Sequence, residues 1–99
     1  MLNITKNTNA SELTVSLTGR LDTTTAPELE KELKASLDGV TTLVIDMTAL
    51  DYISSAGLRV LLSAQKTMNK QGEMKVVHVG ETIMEIFEVT GFSDILTIE

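Results

Sequence analysis

The chain has no cysteine, no tryptophan, one proline and one histidine, and only 3% of it is aromatic. Without cysteine there is no disulfide, no thiolate metal site and no catalytic thiol, and a lone His78 gives a metal ion little to grip. That composition fits a reduced compartment, and a cytoplasmic location is the expectation. No apolar run approaches the ~18–20 residues that span a bilayer. The opening Met1-Leu2-Asn3-Ile4-Thr5-Lys6 also lacks the regions of a secretory signal, so membrane insertion is not expected. Basic residues are scarce: 8 Lys and Arg against 14 Asp and Glu leave a net charge of −6. That balance repels phosphate backbones, making nucleic acid an unsuitable ligand and a basic protein surface a suitable one. Neither G-x-G-x-x-G, nor G-x-x-x-x-G-K-[ST], nor a G-x-S-x-G elbow occurs, so no nucleotide loop of known pattern is visible and no cofactor is expected.

What is present is 42% hydrophobic content in 99 residues, enough for one core, so residues 1–99 are expected to form a single domain. Leu2 and Ile4, then Leu13, Val15 and Leu17, alternate with polar residues, which predicts two half-buried strands joined across the turn-rich stretch 7–11. Thr25-Ala26-Pro27-Glu28 reads as a capping box with proline where its missing N–H is harmless. A helix follows with Leu29, Leu33 and Leu37 as its apolar stripe and Glu30 paired to Lys34, and Gly39 stops it. The unbroken run Leu43-Val44-Ile45 predicts a central strand covered on both faces and ended by Asp46, with 47–53 as a connection.

Residues 55–71 return to a helical period, with Leu58, Leu61, Gln65 and Met68 on one arc and Arg59, Lys66 and Lys70 opposite, before Gly72. Residues 74–79 predict a strand that includes His78. A third helix over 82–90 is opened by Thr82 with Glu85 and closed by Gly91, and 95–98 predict a last strand. The order ββαβαβαβ implies an α/β fold: a mixed, mostly parallel five-stranded sheet with an N-terminal hairpin and three helices.

The segment 50–62 is the most unusual. Ser54 and Ser55, followed by the small residues Ala56 and Gly57, fall at the start of the second helix, where free N–H groups favour an anion or a phosphate. Serine at that position is also the commonest cap, and the two roles are compatible if one serine caps and the other is modified. Gly57 reads equally as close helix–sheet packing or as access for a partner. A hydrolase needs a base beside the serine, and the only histidine lies on a different strand. Asp22, Asp46 and Asp51 end strands or loops and, without a companion His or Cys, read as backbone caps or solvated groups, so no metal is expected. Glu81, Glu85 and Glu88 share one helical arc, which reads as a solvated face.

With these residues in view, the chain resembles the STAS domain family, and within it the free-standing bacterial anti-sigma factor antagonists. The landmarks are Gly19-Arg20-Leu21-Asp22, the strand 43–46, Asp51-Tyr52-Ile53-Ser54-Ser55-Ala56-Gly57-Leu58, and Thr90-Gly91-Phe92, which together span nearly the whole chain. The resemblance implies a non-enzymatic switch. The unphosphorylated protein binds an anti-sigma factor that is also a serine kinase and so releases the sigma factor. Phosphorylation ends the binding, and a PP2C-type phosphatase resets it. It places the modified hydroxyl two residues before the glycine, on Ser55, with Ser54 as second choice. The partner surface falls on Asp22, Asp51, Ser54, Ser55, Ala56, Gly57 and Arg59. Ser54 stands where many relatives carry aspartate, and Ala56 where many carry a second serine. The alternative implied by the same family is a constitutive adaptor subunit of a lipid-transport or stress-signalling complex.

Overall fold

The computed structural model describes residues 2–99. β1 (Leu2–Asn9) and β2 (Glu12–Leu21) form an antiparallel hairpin, followed by α1 (Ala26–Ser36), β3 (Thr42–Ile53), α2 (Ser55–Gln71), β4 (Glu73–Val77) and α3 (Glu81–Thr90). The sheet order is β1-β2-β3-β4, with β2, β3 and β4 parallel. The α/β class, the hairpin and the three helices match the sequence reading.

The sheet has four strands, not five. After α3 the chain makes a 3-10 turn over Phe92–Asp94 and stays helical at Ile95. Only its last residues therefore reach β4, where one parallel bridge joins Ile98 to Val76 through two hydrogen bonds of 2.8 and 2.9 Å. Leu96 nonetheless enters the core, so burial was legible there while strand length was not.

Because the parallel strands follow one another without reversal, right-handed crossovers put successive helices on the same side of the sheet. Accordingly Leu13, Val15, Leu17, Leu43, Ile45, Met74 and Val76 form one buried cluster with Leu29, Leu33, Leu61, Met68, Ile83 and Phe87 from the three helices. The residues between them, Thr14, Ser16, Val44, Asp46, Lys75 and Val77, are only half-buried. The expectation that 43–45 is covered on both faces is therefore corrected: Val44 lies on an open, largely polar face.

β3 also runs on to Ile53, through the stretch read as a connection. Its pairing with β2 shows why. Ser16 and Thr18 face Asp46 and Ala49, so β3 spends three residues where β2 spends two. Gly19 and Arg20 face Leu50 and Tyr52, so β3 spends two where β2 spends one. Each shift is a bulge. The buried positions Met47, Leu50 and Ile53 consequently fall every third residue, a spacing that matches neither a strand nor a helix period.

Asp46 pins the first bulge. Its Oδ1 accepts from the Thr48 amide at 2.9 Å and the Thr48 hydroxyl at 2.6 Å, and lies 3.2 Å from Nδ1 of His78. His78 is not a strand residue: β4 stops at Val77, and His78 turns the chain at φ 56° toward α3.

The helix ends differ from the sequence reading in detail. The Thr25 side chain makes no capping bond into α1. Its Oγ1 accepts from the Asp22 amide at 2.9 Å, while Asp22 Oδ1 accepts from the Thr24 and Thr25 amides at 3.0 and 3.1 Å. The reciprocal box is thus Asp22 with Thr25, one turn earlier than expected. α3 starts at Glu81 behind Gly80, without a side-chain cap from Thr82. Gly72 and Gly91 cap α2 and α3, Gly91 at φ 82° in the left-handed region, whereas α1 ends at Ser36 with Leu37 as its cap.

The Thr48 hydroxyl, then its amide, hold the Asp46 carboxyl below the usual aspartate range. A carboxyl depressed on folding contributes stability that is complete above the unfolded value of about 3.9 and is lost as pH falls through the lower folded one. Thr48→Val should therefore flatten the acid limb, with urea midpoints falling less steeply below about pH 4 than in the parent chain. Superimposable limbs would show that Thr48 does not set this carboxyl.

Candidate functional site

The serines lie where β2 and β3 end together, at the C-terminal edge of the parallel strands, the end at which open α/β sheets most often bind ligands. The Ser54 amide donates to Leu21 O at 2.9 Å and locks the two strand ends. Ser54 is extended at φ −100°, ψ 175°, its carbonyl accepts from the Leu58 amide at 3.0 Å, and its Oγ accepts from the Gly57 amide at 3.4 Å. Ser54 is therefore the cap. Ser55 is the first residue of α2, is exposed, and its hydroxyl makes no hydrogen bond among the described residues. Of the two serines, one is thus spent on the helix start and the other is left uncommitted.

Gly57 is buried, and a Cβ on it would stand 2.7 Å from Cγ of Leu21 and 2.9 Å from Cγ1 of Ile53. Helix–sheet packing accounts for this glycine. Ala56 is half-buried beside it, and Asp51 is exposed in the second bulge.

Asp22 is half-buried, with Oδ1 committed to Thr24 and Thr25 and Oδ2 3.7 Å from Nε of Arg20. The Thr25 amide chiefly, then Thr24 and the Arg20 charge, hold its carboxyl below the usual range despite the opposing effect of desolvation. Its first task is to shape the loop beside the serines.

Two residues absent from the sequence-level site belong to this end. Arg20 stacks over the Tyr52 ring at 4.2 Å from guanidinium carbon to centroid, an arrangement set by their facing positions in β2 and β3. Tyr52 remains 37% exposed. Only the strand register reveals the pair, and that register crosses both bulges. Arg59, one turn into α2, is exposed and lines a shallow groove with Thr23, Pro27, Glu30 and Ala56.

Other hollows carry no comparable chemistry. One of about 270 Å³ lies further along the α1–α2 seam, floored by Leu33, Leu37, Val60 and Ala64. At one end Gln71 donates to the carbonyls of Leu37 and Val40, both at 2.6 Å. His78, the only histidine, is tied to Asp46, seven residues back along β3 from Ile53, roughly 20 Å of extended chain. It is thus not placed as a base for Ser55. No group of three or more His, Asp or Glu residues suited to a metal ion occurs among the described residues.

Gly57→Ala should cost about 1–3 kcal/mol through overpacking against Leu21 and Ile53. Urea unfolding of the pair of chains measures this, and an unchanged midpoint would show that the helix can lift off the strand ends at no cost.

This arrangement has known counterparts. The STAS domain matches residues 2–99. BtrV of Bordetella bronchiseptica, described as an anti-sigma factor antagonist, is 40% identical over 84 residues, covering 83% of this chain and 72% of that protein. The crystal structure of an anti-sigma factor antagonist from Mycobacterium paratuberculosis superimposes with a TM-score of 0.89 at 26% identity, over 99% of this chain and 85% of that one. The Bacillus cell fate determinant SpoIIAA in its phosphorylated form shares the fold, with a TM-score of 0.77 at 15% identity over 98% of this chain and 91% of that one. With that match across the described residues and the serine-bearing strand ends in place, the chain belongs to the STAS domain family.

Proposed function

We propose that this chain is an anti-sigma factor antagonist, a non-enzymatic phosphoswitch whose unmodified form binds an anti-sigma factor serine kinase and whose binding ends when Ser55 is phosphorylated. The observation that carries the reading is the division of labour at the start of α2, where Ser54 is spent on the cap and Ser55 offers an exposed, uncommitted hydroxyl. Kinship with BtrV and the Mycobacterium protein supports the class of partner.

In the modification step the Ser55 oxygen bonds to the γ-phosphorus of a nucleoside triphosphate. The bond from that phosphorus to the β–γ bridging oxygen breaks, the diphosphate leaves, and the hydroxyl proton passes to a base on the kinase. The chain gains roughly 1.5–2 negative charges at a surface the partner must desolvate. A groove fitted to a neutral hydroxyl then meets an unpaired, bulkier anion, and affinity falls through the partner's loss rather than through a change of fold. The surface that docks is Asp22, Asp51, Ser54, Ser55, Ala56 and Arg59, with the buried Gly57 setting the height of the helix beneath it, and a PP2C-type phosphatase acting in the cytoplasm restores the hydroxyl.

Wild type and Ser55→Asp used as parallel baits in host lysate should differ, with only the wild type retaining an ATP-binding kinase. Calorimetry with that kinase should then show binding to the stoichiometrically phosphorylated chain at least ~100-fold weaker than to the unmodified one. Ser55→Ala should take up no phosphate, whereas Ser54→Ala should still be modified and lose about 0.5–1 kcal/mol of stability with its cap. Equal affinity for both forms would end the proposal.

A further inference from the structure

Helix α2 carries no acidic residue, and its charged side chains are Arg59, Lys66 and Lys70. Of the five Lys and Arg residues outside α2, four are paired: Lys6 with Glu32, Lys34 with Glu30, Lys75 with Glu99, and Arg20 with Asp22. Arg59 makes no ion pair among the described residues, a state it shares with Lys31, Lys66 and Lys70. Of these four, only Arg59 lies one helical turn from Ser55. It stands just past the first turn of α2, in the same groove as Glu30 but not within ion-pair distance of a carboxylate among the described residues.

The i, i+4 relation sets the geometry. Side chains four apart on a helix are neighbours, with Cβ atoms about 5–6 Å apart. Helical side chains also lean toward the N-terminus, which brings the turn that begins at Ser55 within reach of the long Arg59 side chain.

We propose that Arg59 is a built-in receiver for the phosphate on Ser55, forming an intramolecular, charge-assisted fork to it in the modified chain. This rests on the phosphoswitch reading above and adds its internal half. In the unmodified chain Arg59 lines the groove with Thr23, Pro27, Glu30 and Ala56. Once Ser55 is modified, the guanidinium is drawn onto the phosphate and off that groove. One modification thus alters the partner surface twice, adding negative charge at Ser55 and withdrawing positive charge at Arg59. A planar fork suits a phosphate better than a point charge does, which makes arginine distinct from lysine at this position. Arg59 is here a positioning residue.

The test uses the full chain with phosphoserine placed at position 55 during translation, as wild type, Arg59→Gln and Arg59→Lys, each checked for an unchanged circular dichroism spectrum. Titration by ³¹P NMR should give a second phosphate pKa about 0.2–0.4 units lower in the wild type than in Arg59→Gln, with Arg59→Lys between them. The Arg59 side-chain ¹⁵N signal should move along the same curve. Asp22, Arg20, Asp51 and Glu30, the other charges at this end, are common to all three chains and cancel in the comparison. Equal phosphate pKa values, or an Arg59 signal indifferent to the titration, would overturn the receiver. Because no kinase is involved, that result counts against Arg59 alone, whereas equal partner affinity in calorimetry counts against the switch.

Discussion

At Gly57 the backbone of α2 approaches Leu21 and Ile53 so closely that no side chain fits between helix and sheet. That contact fixes the height at which the helix begins over the ends of β2 and β3. The remaining features of the site follow from it. Ser54 bridges the strand ends through its amide and caps the helix through its hydroxyl, and Ser55 is left facing outward one residue later. Asp22 and Thr25, closing the neighbouring loop on each other, hold the opposite wall. The hydroxyl of Ser55 is thereby held at a fixed place on the surface.

The one-sided sheet explains why the functional end is so bare. With all three helices gathered on one face, the chain has no second layer from which to build a deep cleft, and its apolar residues are spent on a single core. The exposed edge of that core is closed by ion pairs and polar strands, as where Lys6 of β1 reaches Glu32 of α1 at 2.7 Å. What remains for recognition is a shallow surface of small side chains and a few charges, suited to the face of another protein rather than to an enclosed small molecule.

Much of this was legible from residue order. Period-four leucines placed α1, the mixed arc of Leu58 to Met68 placed α2, and the strand–helix alternation gave the parallel sheet. The serine pair and Gly57 could be located as the unusual segment. Which serine capped and why the glycine was needed depended on distances to Leu21 and Ile53, residues far off in sequence. The misreadings have definite physical causes. Bulges gave β3 a three-residue burial period, the Thr25 hydroxyl bonded back to Asp22 instead of forward into α1, and the turn over Phe92–Asp94 left only the bridge at Ile98 where a fifth strand was expected. The stacking of Arg20 on Tyr52 was invisible because it follows from a register that no single strand encodes.

The two bulges also make β3 a counting device. Between Asp46 and Ser54 the strand must turn Met47, Leu50 and Ile53 inward and still deliver Ser54 to the carbonyl of Leu21. The outcome depends on how many residues stand in that interval more than on which they are. Exposed positions such as Ala49 and Asp51 have room for many side chains. Deleting either would remove the extra residue of its bulge, let the pairing with β2 run on regularly, and straighten the strand end that delivers Ser54. The number of residues in this segment, more than their identity, thus sets the twist with which the sheet meets the start of α2.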